Sequence, residues 1–187
     1  MALPPPEQPP ASPPPILWTS APADAGPVTV SSSGPGSLGA RAFAPAAFRD
    51  VVVDAVLELE AGGPDTGYGL YFRQVEQRLY LAFTVTPDGR SAVFVVEDGR
   101  PRALAEGVLP ADAPFARGMG AANRLTVIAA GPSITCLVND FVVVGVIVDP
   151  RFKAGVAGML VVHAGTMPEA RLALRWAQVR AILPDQR

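Results

Sequence analysis

Glu58 and Glu60 stand two apart in a run where Val53, Ala55, Leu57 and Leu59 alternate with Asp54, Val56, Glu58 and Glu60. On a strand, residues i and i+2 share a face at about 6.6 Å, near the roughly 5–5.5 Å that a retaining glycosidase leaves between its acid and its nucleophile. That makes the pair the catalytic candidate if the chain is a glycoside-active enzyme. Acids alternating with an apolar row are more simply a solvated sheet face. Cys136 shares a strand face with Ile134 and Val138 and reads as a core thiol; as a nucleophile it would need His163, which nothing in the sequence brings near. Asp65, Asp88 and Asp140 fall in turns where carboxylate and backbone oxygens can hold calcium or cap their own backbone. Tyr71, Arg73 and Tyr80 are the ligand-binding candidates. With Leu70, Phe72, Leu81 and Phe83 pointing inward, these three would share an exposed face suited to a sugar ring or an extended peptide, the tyrosines otherwise forming a cross-strand pair.

The elements that must position these residues are strands. Short β-branched or aromatic runs recur, each closed by Gly, Pro, Asn or Asp. The runs are 48–60, 68–73, 78–86, 91–97, 124–129, 133–138, 141–148, 157–163 and 170–182, with weaker candidates at 28–30 and 38–43. Residues 108–120 read as a longer connection. Asn139-Asp140 tolerates left-handed backbone and suits a two-residue hairpin, and Pro87-Asp88-Gly89-Arg90 and Asp98-Gly99-Arg100-Pro101 are further turns. The last run has helix-forming residues, but Leu172, Leu174 and Trp176 alternate with Arg171, Ala173 and Arg175, which favours a strand. Spacings of roughly 8–12 residues indicate an all-β sandwich or barrel.

The 187 residues, 49% hydrophobic and 17% charged, suit one domain with a packed core. Fifteen basic against 17 acidic residues leave no field for nucleic acid, and no apolar run is long enough to span a bilayer as a helix. One cysteine and one histidine exclude a disulfide within the chain and multi-histidine metal centres. No serine elbow or phosphate-binding loop is present. Eight of the 21 prolines lie in residues 1–15, which read as a disordered spacer ahead of a single domain at 16–187. A spacer implies something to separate, so the expectation is an anchor or further domain upstream, with Met1 an added start. Arginine outnumbers lysine 14 to 1, a mark of high-GC coding.

The order of motifs resembles the concanavalin A-like lectin/glucanase jelly rolls, in particular bacterial laminin-G-like and 3-keto-disaccharide-hydrolase-like domains. It runs Trp18, Phe48-Arg-Asp50, Gly69-Leu-Tyr-Phe-Arg73, Tyr80-Leu-Ala-Phe83, Asn123-Arg-Leu-Thr-Val127, Gly131-Pro-Ser-Ile134, Val138-Asn-Asp140, Gly155-Val-Ala-Gly158 and Trp176. Asp140 stands where the family hairpin usually has Gly. The resemblance implies two antiparallel sheets face to face, one of them concave, and no particular activity. The family's glucanases cluster Glu, Asp and Glu within about five residues; here Asp54 lies about 13 Å before Glu58, and the match fails. The expectation is a non-catalytic recognition or accessory module outside the cytoplasm, with a carbohydrate or peptide ligand and calcium as the one cofactor left open. The alternatives are an enzyme using Glu58 and Glu60, or a structural, protein-interaction or sensor module.

Overall fold

The computed structural model describes residues 16–20, 28–34, 36–43, 46–164 and 166–182, with backbone only for 16–20. The proline-rich segment 1–15 and the Trp18 side chain lie outside the described residues. The strands are β1 (Ile16–Ser20), β2 (Val28–Ser33), β3 (Leu38–Ala42), β4 (Val51–Ala61), β5 (Gly67–Glu76), β6 (Leu79–Val85), β7 (Arg90–Glu97), β8 (Arg100–Val108), β9 (Ala122–Ala130), β10 (Ser133–Val138), β11 (Phe141–Ile147), β12 (Val156–Val162) and β13 (Glu169–Ala181). They form two antiparallel sheets and, among the described residues, no helix. Sheet A runs β1-β13-β4-β9-β10-β11, with β2 also on β13; sheet B runs β3-β12-β5-β6-β7-β8.

Period-two alternation explains how the sheets stack. Val53, Ala55, Leu57 and Leu59 of β4 are buried against Tyr68, Leu70, Phe72, Leu81 and Phe83 of sheet B, each large side chain contributing about 1.5–3 kcal/mol. The other face of β4 carries Glu58, Glu60 and Asp54, as the alternation requires. Both Asn139 and Asp140 have positive φ, 46° and 67°, the geometry of a type I′ hairpin. Asn139 also anchors the long connection. Its Oδ1 accepts the Arg124 N–H at 2.7 Å, and its Nδ2 donates to Asn123 Oδ1 at 2.9 Å. Asn123 in turn is bonded both ways to the Ala116 backbone.

Two elements depart from expectation. β8 was not foreseen, because Arg100, Pro101, Arg102 and Glu106 break any apolar alternation; it is the outer strand of sheet B, where such residues are tolerated. In β13, a register shift between Leu174 and Trp176 moves the inward row to Ala177 and Val179, so Trp176 is only half-buried.

Close approach of strands within sheet B depends on Gly69. A Cβ there would overlap the Phe83 carbonyl oxygen and lie 2.9 Å from Thr84 Cα, both backbone atoms that cannot step aside. Gly69→Ala is expected to destabilise by about 2 kcal/mol or more and to lower the melting temperature by roughly 4–8 °C. At Gly107 the nearest atom to a new Cβ is Ser91 Oγ at 3.7 Å, so Gly107→Ala should leave the melting curve almost unchanged.

Candidate functional site

Leu81 and Phe83 point into the core, so Tyr80, Ala82 and Thr84 of β6 face outward; on β5 the outward residues are Gly67, Gly69 and Tyr71, and on β7 they are Ala92, Phe94 and Val96. Cross-strand pairing lines them up in rows. One row runs Gly158–Tyr71–Ala82–Phe94–Ala103; the next runs Leu160–Gly69–Thr84–Ala92–Glu106. The centre of the second row is made of small side chains, and there a cleft of about 590 Å³ opens, lined by Gly67, Thr84, Ala92 and Phe94 with Asp65, Thr86, Arg90 and Glu106 around it. Two hollows of about 220 and 310 Å³ continue it toward Tyr80 and Leu160. The floor is apolar and the rim polar. Arg90 bridges Asp65 and Asp88, its Nε lying 3.0 Å from Asp88 Oδ2. The Thr86 hydroxyl, followed by the Arg90 backbone and side chain, holds the Asp88 carboxyl below the usual carboxylate range.

Tyr71 and Tyr80 do face away from the inter-sheet core, but they are not an exposed platform. They are 4% and 7% exposed, sunk in a cluster with Ala82, Val96 and Leu160. Their rings meet edge to face with centroids 6.0 Å apart, a diagonal cross-strand contact, since Tyr71 stands opposite Ala82. Gly158 makes room for this: a Cβ there would be 2.6 Å from the Tyr71 ring.

Arg73 does not share the tyrosines' face, which corrects the expectation. The pairing of β5 with both neighbours shifts just after Phe72, and Arg73 has φ 50°. This irregularity turns its side chain inward, where it is buried with Asp50 at 3.7 Å. Its guanidinium nitrogens have no hydrogen-bond partner among the described residues. Burial pushes that guanidinium down from its ordinary range, and Asp50 opposes the shift.

The remaining candidates are dispersed. Glu58 and Glu60 lie on the outer face of sheet A, across the sandwich from the cleft, each bound to arginine: Arg175 Nη2 is 2.7 Å from Glu58 Oε2 and Arg171 Nε 3.0 Å from Glu60 Oε2. Cys136, on β10 of sheet A, is fully buried, and burial pushes its thiol up. His163 follows β12 of sheet B, also buried. Asp65 and Asp88 pair with Arg90, and Asp140 with Arg124. Among the described residues no group of three or more His, Cys, Asp or Glu side chains is placed to hold a metal ion. Sequence reasoning missed Phe94, although the inward Val93 and Val95 already imply it faces outward. It also missed Asp65, Arg90 and Glu106 as one rim, since cross-strand register alone unites them.

No protein-family model matches the sequence, and no curated protein matches it. Solved structures do. The carbohydrate-binding module CBM66 from Bacillus subtilis is 17% identical, with 81% of this chain and 86% of that chain covered and a TM-score of 0.62. A protein of unknown function with a galectin-like fold from Bacillus subtilis gives 11%, 88%, 95% and 0.60. The endo-β-1,3-glucanase from Pyrococcus furiosus gives 13%, 84%, 76% and 0.59. The chain therefore has the concanavalin A-like jelly-roll fold.

The protein has three tyrosines, and burial raises all of them, Tyr68 and Tyr71 from 10.0 to about 12. In the folded state, phenolate absorbance is expected to stay low through pH 10.0, while the urea-unfolded chain titrates there normally. The native state keeps protons that the unfolded chain releases, so this stabilisation is complete below pH 10.0 and is lost as pH rises toward about 12. A folded-state step at pH 10.0 would show a phenol open to water.

Proposed function

We propose that the cleft of sheet B binds a carbohydrate chain and that the protein is a non-catalytic recognition or accessory module of laminin-G-like type working outside the cytoplasm. The observation that carries this reading is the set of small side chains, Gly67, Thr84 and Ala92, that line the cleft. They leave a groove with apolar Phe94 on its floor and polar Asp65, Arg90 and Glu106 on its rim, continued by a hollow toward Leu160. A sugar ring presents an apolar C–H face and a ring of hydroxyls, and this groove offers a surface for each. The jelly-roll neighbours, a carbohydrate-binding module among them, support the same ligand class. The extracytoplasmic placing rests on the proline-rich spacer and on the resemblance.

Catalysis by Glu58 and Glu60 is disfavoured by where they lie. The central strands β5, β6 and β7 present no carboxylate to the groove floor; the cleft's own acids, Asp65 and Glu106, stand on its rim, Asp65 paired with Arg90. Glu58 and Glu60 occupy the opposite sheet and are charge-paired. A glycosidase needs one carboxylic acid and one carboxylate flanking the scissile bond.

Titration calorimetry against soluble β-glucans and other neutral polysaccharides tests the proposal. At least one should bind, and Phe94→Ala, which trims a half-buried side chain on the floor, should weaken it about tenfold or more, or at least about 1.4 kcal/mol. The circular dichroism spectrum should be unchanged. Silence across the panel, or full binding by Phe94→Ala, would remove the cleft as a sugar site; release of reducing ends would make the protein an enzyme.

A further inference from the structure

β11 is the terminal strand of sheet A, and no described strand pairs with its outer edge. Its sequence, Phe-Val-Val-Val-Gly-Val-Ile, has no charge and no proline. Such edges are normally protected by charge, proline, bulges or brevity; of these β11 has only one bulge, at Val143. The outer strand β8 of sheet B carries Arg100, Pro101, Arg102 and Glu106, and β3 has five residues with Arg41 among them. On β11, Val142 is 59% and Ile147 73% exposed. Opening that much aliphatic surface beside an unpaired backbone edge invites a partner.

We infer that β11 pairs antiparallel with β11 of a second copy, making sheet A continuous across a two-fold axis. Backbone direction and register admit this occupant. The Val148 N–H donates to the Pro132 carbonyl at 2.9 Å, and Val146 and Val144 stand opposite Ile134 and Cys136. By antiparallel alternation those residues bond inward to β10, while Gly145 and Ile147 turn their N–H and C=O groups outward. The register shift opposite Cys136 and Leu137 leaves Val143 as an extra residue, so regular pairing is confined to the stretch from Val144 to Ile147. With the two-fold at Gly145, each Gly145 faces its own counterpart and Val144 faces Val146. Aliphatic meets aliphatic, no like charges are opposed from Phe141 through Val148, and the contact closes as a dimer because both copies use one patch. This inference is independent of any ligand in the cleft.

Sedimentation velocity on the full chain between about 1 and 300 µM, the range in which weak self-association is resolved, tests it. The wild type should shift from monomer to dimer as concentration rises. Val142→Lys with Ile147→Lys, both at exposed positions, should stay monomeric at every concentration with an unchanged melting temperature. Gly145→Cys should form a disulfide-linked dimer with oxidised glutathione, because directly hydrogen-bonded antiparallel residues have Cα atoms about 5.5 Å apart, a separation disulfides accept. The native Cys136 is buried and does not compete. A wild type that stays monomeric throughout overturns the inference. So does a dimer that survives the two lysines or leaves Gly145→Cys unlinked. If the lysine variant loses its fold, the cysteine cross-link decides alone.

Discussion

Sheet B buries apolar side chains on both of its faces, and much of the molecule is arranged around that constraint. Its inner residues, Tyr68, Leu70, Phe72, Leu81, Phe83 and Val85, close the core against sheet A; its outer ones, Tyr71, Tyr80, Ala82, Val96 and Leu160, form a second buried cluster. A sheet that buries apolar side chains on both faces needs its strands closely matched there, and two glycines provide this. Gly69 lets β5 come up against the Phe83 carbonyl, and Gly158 accepts the Tyr71 ring. The cleft follows from side-chain size along the same surface. Bulk sits in the row with Tyr71 and Phe94, whereas the adjoining row is Gly69, Thr84 and Ala92, so space opens between them.

Sheet A solves the opposite problem. Its outer face is charged, and the charges are satisfied within the sheet. Asp54 is fully buried there, with Arg180 at 2.6 Å, Arg124 at 3.1 Å and the Thr126 hydroxyl donating at 2.5 Å. A carboxylate taken out of water requires that density of partners. Arg171 and Arg175 continue the ladder onto Glu60 and Glu58. The face that most resembled a carboxylate active site in one dimension is thus an ion-pair lattice in three, and the hollow lies on the other sheet.

Period two made the fold legible: β4, β5, β6, β9 and β10 follow from it, and the Asn139-Asp140 hairpin follows from the residues that tolerate positive φ. It also placed Tyr71 and Tyr80 on the correct side of β5 and β6. It could not supply depth, because burial of an outward side chain depends on neighbours such as Leu160 that are far away in sequence. Nor could it foresee Arg73 or Trp176. One extra residue in a ladder inverts the parity beyond it, and such irregularities leave no local compositional mark. β8 was illegible for a related reason: an outer strand has only one pairing side to satisfy, so its sequence is free to carry proline and charge.

The edge and the cleft bear on each other through symmetry. Residues opposed in an antiparallel pair point to the same face, so a two-fold relating two β11 strands runs normal to sheet A. Both copies then present sheet B on one side of the assembly, with their two grooves open in the same direction. A polysaccharide repeats its epitope along its length, and a second groove held at fixed distance converts the second contact into an intramolecular one. Avidity gained in this way commonly reaches a factor of about 10²–10⁴ without any new contact. On the carbohydrate reading proposed above, such a pair of grooves would discriminate long polymers from short oligomers.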